Sequence, residues 1–238
     1  MEVSEQSWEL HFSGNPATDG FPSPNRFREC HADCIYAAFA APSRPAPTAW
    51  LLMGAPGSGK SSWVKAMAIP DLTLGINPDA YKERLPEYDA GRGSSRVHEE
   101  SSWIARQVRL VAIARSCDLL NDAVGSDAAK YRDLIGRLRE SHYTIHLLCV
   151  HVLDVEVLLD RVARRSFRTG RTVPEAIIRE AHTKVPVAFE VLRHAVDVAE
   201  MIDGHDNSLV YAEASGSVGE RVPEFLGKLG EVGRKLLA

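Results

Sequence analysis

From residue 49 onward, short apolar runs alternate with longer segments in which apolar residues recur every three or four positions. AWLLM (49–53), LTLGI (72–76), DLLND (118–122), YTIHLLCVHV (143–152) and VDVAEMID (196–203) read as strands, with SLVYAEA (208–214) as a further candidate. Between them, KSSWVKAMAI (60–69), RVHEESSWIARQVRLVAIARS (96–116), AAKYRDLIGRLRES (128–141) and DVEVLLDRVARRSFRT (154–169) carry helical spacing. The last of these stops at Gly170, a natural C-cap. PEAIIREAHTKVPVAFEVLRHA (174–195) is helical with an internal proline, and VPEFLGKLGEVGRKLL (222–237) predicts a final helix. YTIHLLCVHV is apolar on both alternating faces, as in a strand buried inside a parallel sheet.

Repeated strand–helix–strand units predict an α/β protein with a mostly parallel central sheet and helices on both faces. In such sheets ligands bind beyond the carboxyl ends of the strands. Three polar clusters fall there: GAPGSGKS, NPD and NDAVGSD. Upstream, HADCIYAAFA (31–40) has helical spacing, and APSRPAPT (41–48) reads as an irregular linker. Residues 1–31 read as a polar N-terminal arm and 32–238 as a single domain.

The chain of 238 residues has an ordinary share of hydrophobic (45%) and charged (25%) residues, enough to bury one sizeable core. A net charge of −4 argues against a general nucleic-acid binder. No apolar run approaches the ~20 residues that cross a bilayer, and the first residues lack the basic start and apolar centre of a signal peptide. The four cysteines make no framework, which fits a reducing cytoplasm. Cys30, His31 and Cys34 sit close together, but no second ligand pair with zinc spacing follows.

GAPGSGKS matches G-x-x-x-x-G-K-[ST], here with an apolar strand before it and a helix after it. Gly54, Ala55, Pro56, Gly57, Ser58, Gly59, Lys60, Ser61 and Ser62 would cradle the phosphates of a nucleotide. Lys60 would reach the β and γ phosphates, and the Ser61 hydroxyl would ligate Mg²⁺. Asp79, after the second strand, could take a proton from a substrate hydroxyl attacking a γ-phosphate; equally, it could be a turn or N-cap residue beside Pro78. Asp122 ends the third strand, where a carboxylate positions Mg²⁺, contacts substrate, or simply starts a turn. Arg161, Arg165 and Arg168 share a helical face, with Arg164 and Arg171 near it. Such a face suits a transferring phosphoryl group, or solvent. His98, Glu99 and Glu100 open a helix, where acids follow from the helix dipole or bind substrate. Trp50, Trp63 and Trp103 read as packing residues.

The ordered set PTAWLLMGAPGSGKSS, INPDAYKERLPEY, RVHEESSWIARQ, LLNDAVGSDAAKYRDLIGRLRESHYTIHLLCV, RVARRSFRTGRTVPEAI and IDGHDN resembles the zeta toxins, P-loop kinases of toxin–antitoxin systems, from about Ala32 to Asn207. The resemblance implies a three-layer P-loop kinase fold with an arginine-bearing lid helix around 156–172. It implies ATP and Mg²⁺ as cofactors, and a small-molecule alcohol as acceptor, UDP-N-acetylglucosamine in the best-known members. Lys60, Asp79, Arg161 and Arg171 then match catalytic positions, with Arg164 or Arg165 competing for the lid role. Asp79, Glu100, Asp122 and Arg165 would meet substrate, and Ser61 and Asp122 the metal. A small antitoxin that blocks the nucleotide site is the implied partner. The chain departs from the family pattern at Ala123-Val124, where Gly-Thr is usual, and at Ser126, where some members carry a basic residue. The acceptor is therefore open among nucleotide sugars, nucleotides, polynucleotide ends and other small alcohols. A nucleotide-binding regulatory protein is the reading outside enzymes.

Overall fold

The computed structural model describes residues 31–66, 69, 72–91 and 93–214. The polar arm and the predicted final helix lie outside the described residues, apart from His31. In chain order the elements are α1 (Ala32–Ala40), β1 (Thr48–Met53), α2 (Lys60–Ala66), β2 (Leu74–Ile76), α3 (Pro78–Lys82), a 3₁₀ segment (Pro86–Gly91), α4 (His98–Ala114), β3 (Leu119–Asp122), α5 (Ala128–Glu140), β4 (Thr144–His151), α6 (Val155–Thr169), α7 (Glu175–Leu192), a short 3₁₀ turn (Arg193–Ala195), β5 (Val198–Asp203) and β6 (Leu209–Ala214).

One six-stranded sheet has the order β2-β3-β1-β4-β5-β6. Five strands are parallel, and β6 returns antiparallel along β5. β1 lies at the centre, with Leu52 opposite Asp122 of β3 and Leu148 of β4. Its alternating side chains feed two cores. Leu51 and Met53 join Ile104, Val108, Leu119, Leu138, Leu147 and Phe189 beneath α1, α4, α5 and α7. Leu52 turns to the other face with Leu148, Val150 and Ile202, covered by Trp63 and Val64 of α2. The fold is thus the expected α/β arrangement with helices on both faces of a mostly parallel sheet. Trp50 and Trp63 pack on the second core and Trp103 on the first.

Two local readings change. The predicted linker 41–48 is stitched to the sheet: Ser43 bridges Cys117, Arg44 N donates to Ser116 O at 2.8 Å, and the first strand already starts at Thr48. The residues after β2 form a helical turn, because Asn77 caps it by accepting from Asp79 N at 2.9 Å and Pro78 is preset for a first helical position. Among the described residues, no helix is long and apolar enough to cross a membrane. The cysteines there (Cys34, Cys117 and Cys149) are free and buried.

Candidate active site

The phosphate loop leaves β1 at Met53 and enters α2 at Lys60. Gly57 has φ +84°, and a Cβ there would come within 2.9 Å of Leu158 O on α6, so the loop and α6 touch backbone to backbone. Gly54 N donates to Val124 O at 2.9 Å, which ties the loop to the segment after β3. Lys60 Nζ donates to Gly54 O at 2.6 Å and to Ala55 O at 3.3 Å. The lysine therefore folds over its own loop, in the space a phosphate chain would share. Burial pulls its pKa down, while Asp122 and then Asp79 push it back up. Ser58 Oγ is buried without a hydrogen-bond partner. Ser61 and Ser62 open α2 with their side chains exposed.

Asp79 lies in the helical turn after β2 and Asp122 at the end of the neighbouring β3, and Asn77 joins them. Its Nδ2 donates to Asp122 Oδ2 at 2.9 Å, while its Oδ1 accepts from Asp79 N. The cap role that Asp79 could have filled belongs to Asn77, and this leaves the Asp79 carboxylate to side chains. Lys82 Nζ lies 3.1 Å from its Oδ1, and Arg171 Nη2 donates to its Oδ2. Burial alone would raise the Asp79 pKa, but Arg171 and Lys82 outweigh it and hold the carboxyl below its usual value. Asp122 goes the other way. Burial raises it, and the proximity of Asp79 adds to the effect against Lys60 and Arg171.

The arginines divide their work. Arg161 Nη1 donates to Gly204 O at 2.8 Å and to Gly57 O at 3.3 Å, so it pins the phosphate loop to the β5–β6 turn. Arg164 pairs with Asp160 and is exposed. Arg165 presents Nε and Nη2 buried with no hydrogen-bond partner, in the field of Arg171, Asp79 and Tyr88. Burial lowers its pKa first, and the like charge of Arg171 next. Four cations (Lys60, Lys82, Arg165 and Arg171) thus face two carboxylates, an excess that suits a polyanion.

Arg171 reaches this centre from just beyond the end of α6. α6 ends at Gly170 in the left-handed region, at φ +71°. A Cβ on Gly170 would lie 2.7 Å from Ala90 O, and one on Gly91 would lie 2.9 Å from Arg171 N. The end of α6 and the 86–91 segment meet along a seam of bare backbone.

Glu100 is engaged elsewhere: His31 Nε2 donates to its Oε1 at 2.6 Å, where α4 meets the start of α1, and the His31 ring lies 5.3 Å from that of Trp103. Cys30 lies outside the described residues, and among the described residues no cluster of three His, Cys, Asp or Glu side chains could hold a metal. Three participants were not expected from sequence: Asn77, Lys82 and Gly204. The Asn-Pro-Asp run carries an N-cap signal, and Lys82 follows Asp79 by three residues, so both were within reach of local rules. Gly204 reads only as a turn residue.

A family model described as Zeta toxin matches residues 34–215. No curated protein matches the chain. Among solved structures, the PezAT chromosomal toxin–antitoxin system of the human pathogen Streptococcus pneumoniae aligns with a TM-score of 0.65 at 15% identity, over 90% of this chain and 96% of that one. AvrRxo1-ORF1:AvrRxo1-ORF2 with sulphate ions aligns with a TM-score of 0.71 at 19% identity, over 96% and 78%. The same complex with ATP aligns at 0.68 and 18% identity, over 96% and 77%. At these identities the likeness is one of fold. The family match spans most of the chain, from the helix before β1 to the end of β6, and the chain belongs to the zeta toxin family.

Proposed function

We propose that the protein is an ATP-dependent phosphotransferase that moves the γ-phosphate to a hydroxyl of a small molecule, with a nucleotide sugar such as UDP-N-acetylglucosamine as acceptor. The observation that carries this reading is the convergence of Lys60, Arg171 and the unpartnered N–H groups of Arg165 on the two carboxylates. Unsatisfied buried donors are costly, and a phosphoryl group is the ligand that would satisfy them beside a phosphate loop.

In the proposed reaction, residues 54–62 cradle the phosphates and Lys60 swings from the Gly54 and Ala55 carbonyls onto the β and γ groups. Asp79 orients the acceptor hydroxyl. The new bond forms between that oxygen and the γ-phosphorus as the bond from phosphorus to the β–γ bridging oxygen breaks. The hydroxyl proton passes to Asp79, and ADP leaves. The ion pairs keep Asp79 deprotonated and ready to accept. Its low basicity is tolerable because a loose transition state calls on the base late. Arg165 and Arg171 stabilise the charge on the moving group, and Arg161 fixes the loop against the β5–β6 turn.

Mg²⁺ fits the donor set present: an exposed Ser61 hydroxyl at the start of α2 and the Asp122 carboxylate, one oxygen of which is oriented by Asn77. When bound, it would neutralise part of the phosphate charge. An antitoxin partner is part of the same proposal. It is supported by the family and by the toxin–antitoxin system among the similar folds.

The test is to incubate the protein with ATP, Mg²⁺ and a panel of nucleotide sugars, and to search by mass spectrometry for a product heavier by one phosphoryl group. The expected product is a phosphorylated UDP-amino-sugar that Asp79→Ala fails to make. ATP binding with no product from any sugar overturns the acceptor assignment. Full activity in vitro from a chain harmless to its host overturns the toxin role.

A further inference from the structure

The two oxygens of Asp79 are held by different parts of the fold. Oδ2 is covered by Arg171, which lies beyond the C-cap of the lid helix. Oδ1 is 3.1 Å from Nζ of Lys82, a residue of the same short helix that is only 6% exposed. Lys82 Nζ also donates to the buried Ser94 Oγ at 3.3 Å. An ammonium buried this far requires a fixed anionic partner. Its pairing with Asp79 spans one helical turn, so it does not depend on where the lid stands. For an acceptor hydroxyl to reach the carboxylate, one oxygen must be given up, and only the Arg171 contact can be given up without stranding a buried charge.

We infer that Lys82 is a positioning residue that retains Oδ1 of Asp79 throughout, and that Oδ2 is the oxygen that meets the acceptor hydroxyl. The inference rests on the phosphotransferase reading above. Several other titratable groups face Asp79: Arg165 from α6, Lys60 from α2, Asp122 from β3 and His98 from α4. The cations among them that lie on the lid and the phosphate loop are the ones a bound nucleotide would engage. Lys82 is the cation that stays dedicated to the base, and it offsets the repulsion from Asp122.

The full chain labelled with ¹³C-aspartate gives the test, with Asp79→Asn identifying the resonance. Replacing Lys82 by Met should raise the titration midpoint of Asp79 by about one pH unit or more, while Lys82→Arg should keep it near the wild-type value. Lys82→Gln serves in the same way should the Met variant not fold. In the transfer assay with UDP-N-acetylglucosamine, the acid limb of kcat/KM should move to higher pH by the same amount, with KM for ATP unchanged. An Asp79 midpoint that stays in place in the Met or Gln variant overturns the inference, as does one that moves equally in the Arg variant. A wild-type protein that transfers nothing to the sugar overturns that acceptor alone, and the titration still decides what Lys82 does.

Discussion

Gly204 gives the sharpest test of how the β5–β6 turn supports the phosphate loop. Its backbone is not in the left-handed region, so alanine is admissible on conformational grounds. The obstacle is space: a Cβ there would lie 2.0 Å from Ser58 O and 2.8 Å from Val152 Cγ2. Ordinary contact begins near 3.4 Å, so the turn must retreat by about 1.4 Å from a buried backbone carbonyl that cannot rotate away. That retreat pulls on two short bonds, Gly204 N to His151 O at 2.7 Å and Arg161 Nη1 to Gly204 O at 2.8 Å. Overpacking costs about 1–3 kcal/mol, and weakening a hydrogen bond to a charged group adds to it, giving about 3 kcal/mol for Gly204→Ala. For a chain of this size that corresponds to a fall in Tm of about 6–12 °C. Because Ser58 belongs to the phosphate loop, ATP affinity measured by calorimetry should fall about tenfold, a loss of about 1.4 kcal/mol. Urea unfolding supplies the stability. A variant within about 0.5 kcal/mol of wild type would refute the steric reasoning. A destabilised variant with unaltered ATP affinity would refute the link between turn and loop.

Gly136 is the counterpart, an exposed glycine inside α5 where a Cβ would meet nothing within 4 Å, so Gly136→Ala should stabilise by about 0.5–1 kcal/mol in urea unfolding. Asp79 has a pKa held below its ordinary 3.8, so its ion pairs contribute stability that is complete above that value and is lost as pH falls through the lower native value. Asp79→Asn should therefore be less stable than wild type at pH 7, with the gap closing in strong acid; a gap independent of pH contradicts this. Arg165→Met should lower kcat about a hundredfold or more while leaving unfolding free energy unchanged or higher, because it removes Nε and Nη2, which are buried with no hydrogen-bond partner in the free protein. Loss of stability equal to the loss of rate would assign Arg165 to the fold instead.

Much of this architecture was legible because it is written locally. The β1–loop–α2 unit is a contiguous motif, Gly170 marks the end of α6 by its position after a helical pattern, and the apolar run 143–152 announces an interior strand. What the chain hides is lateral order. Nothing local says that β1 lies between β3 and β4, or that β6 turns back along β5, since those pairings join residues distant in sequence. The site shows the same division. Asp79 and Asp122 could be picked out as strand-end acids, but the bond from Asn77 that couples them crosses 45 positions. Arg161 shares a helical face with Arg165 in the sequence, and helical spacing alone cannot reveal that one is spent on backbone carbonyls while the other is left open. The spacing of Lys82 from Asp79 is local, but its burial is not: lysine is ordinarily a surface residue, and the tertiary surroundings of a five-residue helix bury this one.

The seam between Gly170–Arg171 and Ala90–Gly91 bears on how this chain could diversify. With two backbones in contact and no side chain between them, neither loop can be lengthened, shortened or given a larger residue without a matching change in the other. Loops are usually the regions that tolerate exchange most freely. Here the segment that delivers Arg171 and the segment after the Asp79 helix form one heritable unit. A graft that aims to redirect acceptor choice would have to carry both pieces together, although about 80 residues of intervening chain separate them.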